Sequence, residues 1–153
     1  MSFAARPMTG ADVIPLEGVT VREAQEDFVA PNIVTIAPAH FRAGAHDFCL
    51  WDGGQRVGLL ALIDLAEYDK RKDADHPNGV YVWRLLIGSD FRGKGYGKLA
   101  MAFAETWASE RNRTVMQVHA VDANTPAIKL YETLGYALTG ERDGDEVQLE
   151  KLL

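Results

Sequence analysis

The sequence lacks most of the features that mark secreted and membrane proteins. Its single cysteine, Cys49, excludes an intramolecular disulfide and stands in an apolar run, which predicts a small buried side chain. No apolar run approaches the roughly 20 residues that a membrane-spanning helix needs. The N-terminal residues also lack the basic-then-apolar pattern of a secretory signal. We therefore expect no membrane partner and a cytoplasmic location.

Positive charge is also scarce, with 16 Lys and Arg against 22 Asp and Glu and a net charge of −6. Such a balance argues against a nucleic-acid partner and favours a cationic small molecule. No repeat, low-complexity tract or shift in composition divides the 153 residues. The composition, 47% apolar and 25% charged, is typical of globular proteins. One domain over residues 1–153 is therefore expected.

Local patterns predict a mixed sheet. The sequence Asp52-Gly53-Gly54 is a hairpin signal between the first two predicted strands. β-Branched and aromatic runs predict the strands, which cover residues 48–51, 56–65, 80–87, 115–121, 136–140 and 146–152. Too few strand–helix–strand units are present for a doubly wound dinucleotide-binding fold, so a mixed α/β sheet is expected.

Helical patterns alternate with these strands. They cover residues 19–28, 38–45, 98–110 and about 126–134. The third of these helices is expected to carry an apolar face. This face includes Leu99, Met101, Phe103 and Trp107. Residues 1–18 are weakly patterned and predict an irregular lead-in, whereas the charged residues 67–79 predict an exposed loop.

A glycine-rich turn separates the predicted strand 80–87 from the predicted helix 98–110. Its residues are Arg92, Gly93, Lys94, Gly95, Tyr96, Gly97 and Lys98. Glycines at alternate positions let successive backbone N–H groups point into one concavity, at the positive end of the helix dipole. That arrangement binds phosphate groups. A Walker loop lacks support because no Gly-Lys-Ser/Thr follows, and a Rossmann fingerprint lacks its two-residue gap. The other interpretation is a plain strand-to-helix connection with basic residues.

Two motifs resemble the GNAT superfamily of acyl-CoA-dependent N-acyltransferases. The turn fits the superfamily's pattern Gln/Arg-x-x-Gly-x-Gly/Ala. About 30 residues later comes a second similar pattern, Asn124-x-x-Ala127-x-x-x-Tyr131-x-x-x-Gly135-Tyr136. With their strands, the two motifs cover residues 80–140. The resemblance implies an α/β fold with a mixed, mostly antiparallel sheet, splayed central strands and flanking helices.

The resemblance also implies acetyl-CoA as co-substrate, with no metal. The pantetheine arm would lie between the splayed strands, bonded by the backbone of Leu85, Leu86 and Ile87. The N–H groups of the turn from Arg92 to Lys98 would hold the pyrophosphate. Asn124 would touch the arm from the other side, and it also suits the cap of its own helix. Both interpretations can hold together.

Two side chains are candidates for the proton transfers. Tyr131 resembles the family's general acid, and a phenol near a departing thiolate can supply its proton. Its other interpretation is a core tyrosine, because it shares a helix face with Ala127 and Leu134.

A primary amine is almost fully protonated at neutral pH, so a base must accept its proton. His119 is the candidate base. At that spacing, some ribosomal-protein N-terminal acetyltransferases of the superfamily carry a glutamate. The alternative is a structural histidine.

The acceptor is predicted from the segment that precedes the strand before the glycine-rich turn. Residues 66–79 and the following Trp83-Arg84 resemble bacterial spermine/spermidine acetyltransferases, as does the stretch 138–141. Glu67, Asp69 and Trp83 are the candidate substrate-binding residues. Other carboxylates could gather around a polyamine with them: Asp64, Asp73 and Asp75. The other interpretation is a solvated loop, since basic residues interrupt the acids.

Other classes of function stay open on sequence alone. One is a non-catalytic acyl-CoA-binding or interaction domain, and another is acetylation of protein N-termini or antibiotics. Homodimers are frequent in the resembled family, although no stretch here marks an interface.

Overall fold

The computed structural model of this chain describes residues 2–20 and 32–153. Its strands are β1 (Phe3–Pro7), β2 (Ala45–Asp52), β3 (Gln55–Asp64), β4 (Gly79–Ile87), β5 (Val115–Val121), β6 (Ala137–Asp143) and β7 (Glu146–Leu152). Its helices are α1 (Gly10–Glu17), α2 (Asn32–Ala39), α3 (Tyr96–Glu110) and α4 (Thr125–Thr133). None of the helices in the described ranges has both the length and the apolarity to cross a membrane.

The seven strands form one sheet in the order β1-β2-β3-β4-β5-β7-β6. All neighbouring strands are antiparallel except β4 and β5, which are parallel. The connection between these two parallel strands contains the glycine-rich turn and α3. The predicted α/β class, with a mixed and mostly antiparallel sheet, is therefore confirmed.

The two parallel strands separate halfway along their length. Their pairing runs from Gly79 opposite Val115 only as far as Val82 opposite Val118. The next residue, Trp83, is an extra residue in the register with β3, where Leu62 pairs with Val82 and Ala61 pairs with Arg84. Such a bulge bends its strand and increases the local twist. The rest of β4 stays with β3, so the predicted splay of the central strands is confirmed and opens a gap beside β5.

The buried face of α3 differs from the predicted one. A stripe of small side chains at four-residue spacing, Ala100, Ala104 and Ala108, is fully buried against the sheet. Leu99, predicted to lie on the apolar face, is 37% exposed. Met101 is buried as expected, and Phe103 and Trp107 pack at the margin of the core. The prediction relied on bulky residues, whereas alanine occupies most of the fully buried positions of α3.

The N-terminal predictions need two corrections. Residues 1–18 are not an irregular lead-in, because β1 pairs with β2 and α1 follows. A capping box begins α1, where the Thr9 N–H donates to the Asp12 carboxylate at 2.9 Å. The predicted helix 38–45 is also wrong. The helix α2 ends at Ala39, and Ala45 begins strand β2, where it pairs with Ile63 of β3. The predicted helix 19–28 falls almost wholly outside the described residues.

Candidate active site

A cleft of about 440 Å³ opens where β4 leaves β5. This volume lies within the ordinary range for small-molecule sites. Its walls come from β4, the glycine-rich turn and the first turns of α4. Most of the predicted site residues line it: Leu85, Ile87, Arg92, Gly93, Gly95, Tyr96, Gly97, Lys98, Asn124 and Tyr131. The side chains of Leu86 and Lys94 lie outside the cleft lining.

The glycine-rich turn has the backbone of an anion site. Gly93 and Gly95 have φ values of 76° and 85°, which residues other than glycine rarely adopt. A Cβ built at either position meets no atom within 4 Å, so the turn is open to a ligand. The first bonded amide of α3 is the Leu99 N–H, which donates to the Gly95 carbonyl at 3.1 Å.

Three amides at the start of α3 are therefore free of partners among the described residues. They are the N–H groups of Tyr96, Gly97 and Lys98, which have no carbonyl one turn earlier in the helix. Free amides at the positive end of a helix dipole fit a pyrophosphate. The residues of the turn thus suit the phosphate end of a coenzyme A molecule.

The gap beside β4 suits an extended ligand. After Val82, no strand in the described ranges pairs with β4 on the side of β5. The side chains of Leu85 and Ile87 face the cleft, while Leu86 is 6% exposed and belongs to the core. Leu86 can therefore contribute backbone groups alone. A polar chain lying along this edge would find unpaired N–H and C=O groups, as an added strand does.

Asn124 lies on the opposite wall, at the start of α4. Its side-chain oxygen accepts a hydrogen bond from the Ala127 N–H at 3.4 Å, which caps the helix. The same residue lines the cleft. The cap is thus confirmed, and it fixes the side chain at the cleft wall, where its amide can meet a ligand.

Tyr131 projects from α4 into the cleft with 7% of its surface exposed. It shares a helix face with Ala127, four residues earlier, and both residues line the same wall. Burial raises the pKa of Tyr131 to about 12. Within the described residues, no group forms a hydrogen bond with its hydroxyl. The site therefore presents a protonated phenol with an uncommitted O–H.

A second cavity, of about 280 Å³, lies on the other side of the gap. Arg84 lines this cavity and the next residue, Leu85, lines the cleft. Burial raises the pKa of Tyr81, a wall residue of the second cavity, and nearby negative charge, first that of Glu146, adds to the rise. Because consecutive side chains of a strand point to opposite faces of the sheet, the two cavities open on opposite sides of β4 at Arg84 and Leu85.

His119 lines the second cavity from β5. Its Nδ1 lies 3.7 Å from a carboxylate oxygen of Glu146, and its Nε2 lies 3.4 Å from the amide nitrogen of Gln148. The ring centroids of His119 and Tyr81 are 5.0 Å apart. Both ring nitrogens of His119 therefore face polar side chains of β7 at the wall of the second cavity.

Trp83, the bulged residue, forms another wall of the second cavity. The guanidinium carbons of Arg42 and Arg84 lie 4.3 and 5.6 Å from its ring centroid. Arg84 Nη1 also donates to the Trp83 carbonyl at 2.8 Å. Two cations therefore lie against the one candidate substrate-binding residue that the structure places in the cavity.

The acidic loop does not gather as the sequence suggested. Asp64 is fully buried and bonded to Arg111 and Arg113 at 2.8 to 3.1 Å. Glu67 is bonded to Arg111 as well. Asp69 and Asp73 are exposed and absent from the cavity walls, to which Asp75 alone of the five contributes. Two of the predicted carboxylates, Asp64 and Glu67, are therefore already paired with arginines that follow α3.

Several residues at these cavities were missed by sequence reasoning. Phe91 and Leu130 line the cleft, whereas Arg42 and Glu146 line the second cavity. Helical spacing from Ala127 could have found Leu130. The antiparallel register of β5 and β7, in which Val121 pairs with Glu146, could have placed that carboxylate beside His119. Nothing in the local sequence marks Arg42.

Residues 17–136 match the acetyltransferase (GNAT) family, and the chain belongs to this family. It is 30% identical over 92 residues to the uncharacterized N-acetyltransferase YdgE of Bacillus subtilis (strain 168), covering 60% of this chain and 54% of that protein. It is 31% identical over 111 residues to the spermine/spermidine N(1)-acetyltransferase of the same strain, covering 67% of this chain and 68% of that protein. The chain thus matches little more than half the length of the first relative.

The fold is similar to that of a spermidine N-acetyltransferase from Vibrio cholerae, solved in complex with CoA and spermine. The TM-score is 0.74 at 16% sequence identity, and the alignment covers 99% of this chain and 95% of that one. At this identity the likeness establishes the fold.

Proposed function

We propose that this protein is an N-acetyltransferase that moves an acetyl group from acetyl-CoA to a small primary amine by direct transfer. The observation that carries the proposal is the position of two proton-handling side chains on either side of one gap. Tyr131 lines the cleft on one side, and His119 lines the cavity on the other. An acyl transfer to an amine needs one group of each kind.

The co-substrate supplies an activated acetyl thioester. The free amides from Tyr96 to Lys98 would hold its pyrophosphate, helped by the charges of Arg92 and Lys98. The unpaired edge of β4 at Leu85 and Ile87 would hold the pantetheine arm, opposite Asn124. Every one of these residues lines the cleft, and binding there would direct the thioester toward the gap.

The protein's own side chains would then manage two protons. His119 would accept one from the acceptor's ammonium, which leaves a neutral and nucleophilic nitrogen. The new N–C bond forms as the C–S bond breaks, and the nitrogen then releases its second proton to solvent, from which the tyrosinate of Tyr131 is later reprotonated. Tyr131 would donate its phenolic proton to the departing sulfur, and its pKa of about 12 keeps that proton in place until transfer. The products are an N-acetylated amine and free coenzyme A.

A polyamine is the acceptor proposed from the sequence, and the spermine/spermidine relative supports it. The carboxylates available to it differ from those predicted. Asp75 and Glu146 line the second cavity, whereas Asp64 and Glu67 are already paired with arginines. The polyamine proposal therefore depends mainly on the relative, and spermidine is the first acceptor to test.

Other parts of the proposal extend the sequence predictions. The activity is assigned to one domain over residues 1–153, in the cytoplasm, with a small amine as partner. A homodimer remains a prediction from the resemblance. Acetylation of protein N-termini or antibiotics would use the same cleft, so an acceptor panel separates these choices.

A thiol assay tests the proposed function. The protein is mixed with acetyl-CoA and with spermidine, other small amines, a peptide with a free N-terminus, or an aminoglycoside, and free thiol is followed. The proposal predicts thiol release that depends on one of the small amines. Tight binding of acetyl-CoA without thiol release for any acceptor would identify a non-catalytic binding domain instead. Release no faster with spermidine than with buffer would remove the polyamine while leaving the enzyme.

A further inference from the structure

The charged residues that line the second cavity indicate which kind of acceptor it binds. We infer that it selects an amine that also bears a carboxylate, held by Arg42 and Arg84. The inference rests on the proposed N-acetyltransferase function and names, in place of the polyamine, a different class of small primary amine as acceptor. The charged residues of this cavity are unevenly paired.

The cations on the tryptophan side of the cavity lack counter-ions. No carboxylate in residues 2–20 and 32–153 forms an ion pair with Arg42 or Arg84. Both guanidinium groups are instead close to the Trp83 ring. Stacking on an aromatic face leaves the N–H edge of a guanidinium available to an anion.

Arg84 is the less satisfied of the two. Its side chain is half-buried, and one nitrogen, Nη1, donates to a backbone carbonyl. Its buried Nε has no hydrogen-bond partner. A guanidinium carries five N–H donors, and burying a charge without an opposite charge is unfavourable. A carboxylate is the anion whose two oxygens match that planar set of donors.

Other charged residues also line the cavity. Lys72 is paired with Asp143 at 2.6 Å, and Lys70 and Asp75 add one charge of each sign, so these four contribute little net charge. Glu146 lies beside His119, where an ammonium would meet a carboxylate and the proposed base. One acceptor could then meet both needs, with its carboxylate at Arg42 and Arg84 and its amine near Glu146. A polyamine would instead place positive charge against the two arginines.

Matched acceptors that differ by one carboxylate test this inference. The pairs are tyrosine with tyramine, lysine with cadaverine and histidine with histamine, with spermidine as a further arm. Thiol release gives kcat/KM for each acceptor at fixed acetyl-CoA and ionic strength. We expect the acid of at least one pair to exceed its decarboxylated partner by about tenfold or more, as a charge-assisted bond to guanidinium allows.

Arginine variants supply the decisive comparison, because a carboxylate also alters the intrinsic reactivity of an amine. Arg42→Gln and Arg84→Gln should each bring the acid-to-amine ratio of kcat/KM close to one. Arg6→Gln is the matched control, since Arg6 also rests on a tryptophan, Trp51, at 5.3 Å but lies outside both cavities. It should leave the ratio unchanged. If Arg84→Gln fails to fold, Arg42→Gln carries the test.

The outcomes separate the two proposals. Thiol release with no acid favoured over its amine, or with a ratio insensitive to both arginine variants, overturns the carboxylate inference and leaves the acetyltransferase. A higher kcat/KM for spermidine than for every acid does the same. No thiol release with any acceptor overturns the proposed function, and the inference with it.

Discussion

The hydroxyl of Tyr96 donates a hydrogen bond to the carboxylate of Asp52. This bond joins Tyr96, which lies in the glycine-rich turn and is the first residue of α3, to the last residue of β2. Asp52 also accepts from the Ser2 N–H at 2.7 Å, and the buried Tyr96 ring stacks on Phe3. The start of α3 is thereby fixed to the first two strands, which holds its free amides in one orientation.

Tyr96→Phe should therefore weaken acetyl-CoA binding. Loss of one ordinary hydrogen bond allows a rise in Kd of up to about fivefold. The bond from Tyr96 lowers the pKa of Asp52, so the effect should hold at neutral pH. Calorimetric titration with acetyl-CoA measures it. Tyr136→Phe is the control, because it removes a bond to Glu105 away from the turn. Equal losses of affinity in both variants would contradict the anchoring role.

Tyr131→Phe should reduce kcat by at least about 100-fold, the lower end of what a general acid contributes. Affinity for acetyl-CoA should change little, since the ring and its packing against Tyr136 remain. Steady-state kinetics combined with equilibrium binding separates the two quantities. A loss confined to affinity would show that Tyr131 is a packing residue of the cleft.

Replacing His119 should make the rate depend more steeply on pH. In His119→Ala, the acceptor must lose its proton to solvent, and the neutral fraction of a primary amine rises about tenfold per pH unit below its pKa. The deficit should be largest near pH 7 and should shrink as the pH approaches the amine pKa. The pH dependence of kcat/KM checks this, with the exposed His40→Ala as control. Parallel profiles for the variant and the wild type would remove His119 from the mechanism.

Asp64→Asn should destabilise the fold by roughly 3–5 kcal/mol at neutral pH, because it leaves Arg111 and Arg113 without their buried partner. Burial alone would raise the pKa of Asp64, but the hydrogen bonds from the two arginines outweigh it and leave the pKa lowered. A lowered pKa stabilises the folded state above the ordinary value near 3.9. That contribution disappears as the pH falls through the folded-state pKa.

Urea unfolding at pH 7 and at acid pH measures the effect. The difference in the free energy of unfolding between wild type and Asp64→Asn should narrow under acid. Asp143→Asn, which breaks the exposed pair with Lys72, should change stability little. A small and pH-independent effect of Asp64→Asn would contradict the structural role assigned to the cluster.

The sequence predicted elements whose cause is local. The strand at residues 115–121 was predicted with its bounds because β-branched residues favour strands. The hairpin around Gly53 followed from turn chemistry, and the end of α4 from Gly135, which has a φ of 96°. The glycine-rich turn belongs to this class, because its glycines carry the signal themselves.

Elements with a distant cause were missed. β1 has no alternating pattern, and it is a strand because β2 provides a partner. The helix α1 contains Pro15, a residue that disfavours a helix in the sequence pattern. Its buried Asp12 is paired with the distant Arg56 at 2.9 Å. The pairing of Asp64 crosses 47 and 49 residues of sequence, and no local pattern reports such a contact. The same limit applies to Arg42, which reaches Trp83 only in the folded chain.

The most direct measurement of the central claim counts two products in one reaction. Protein, acetyl-CoA and the best acceptor of the panel are incubated together, and free coenzyme A and N-acetylated amine are both quantified over time. Direct transfer predicts equal molar amounts of the two products, with both slowed to the same extent in Tyr131→Phe. Coenzyme A released without acetylated amine would show hydrolysis of the thioester and contradict the proposed acetyltransferase.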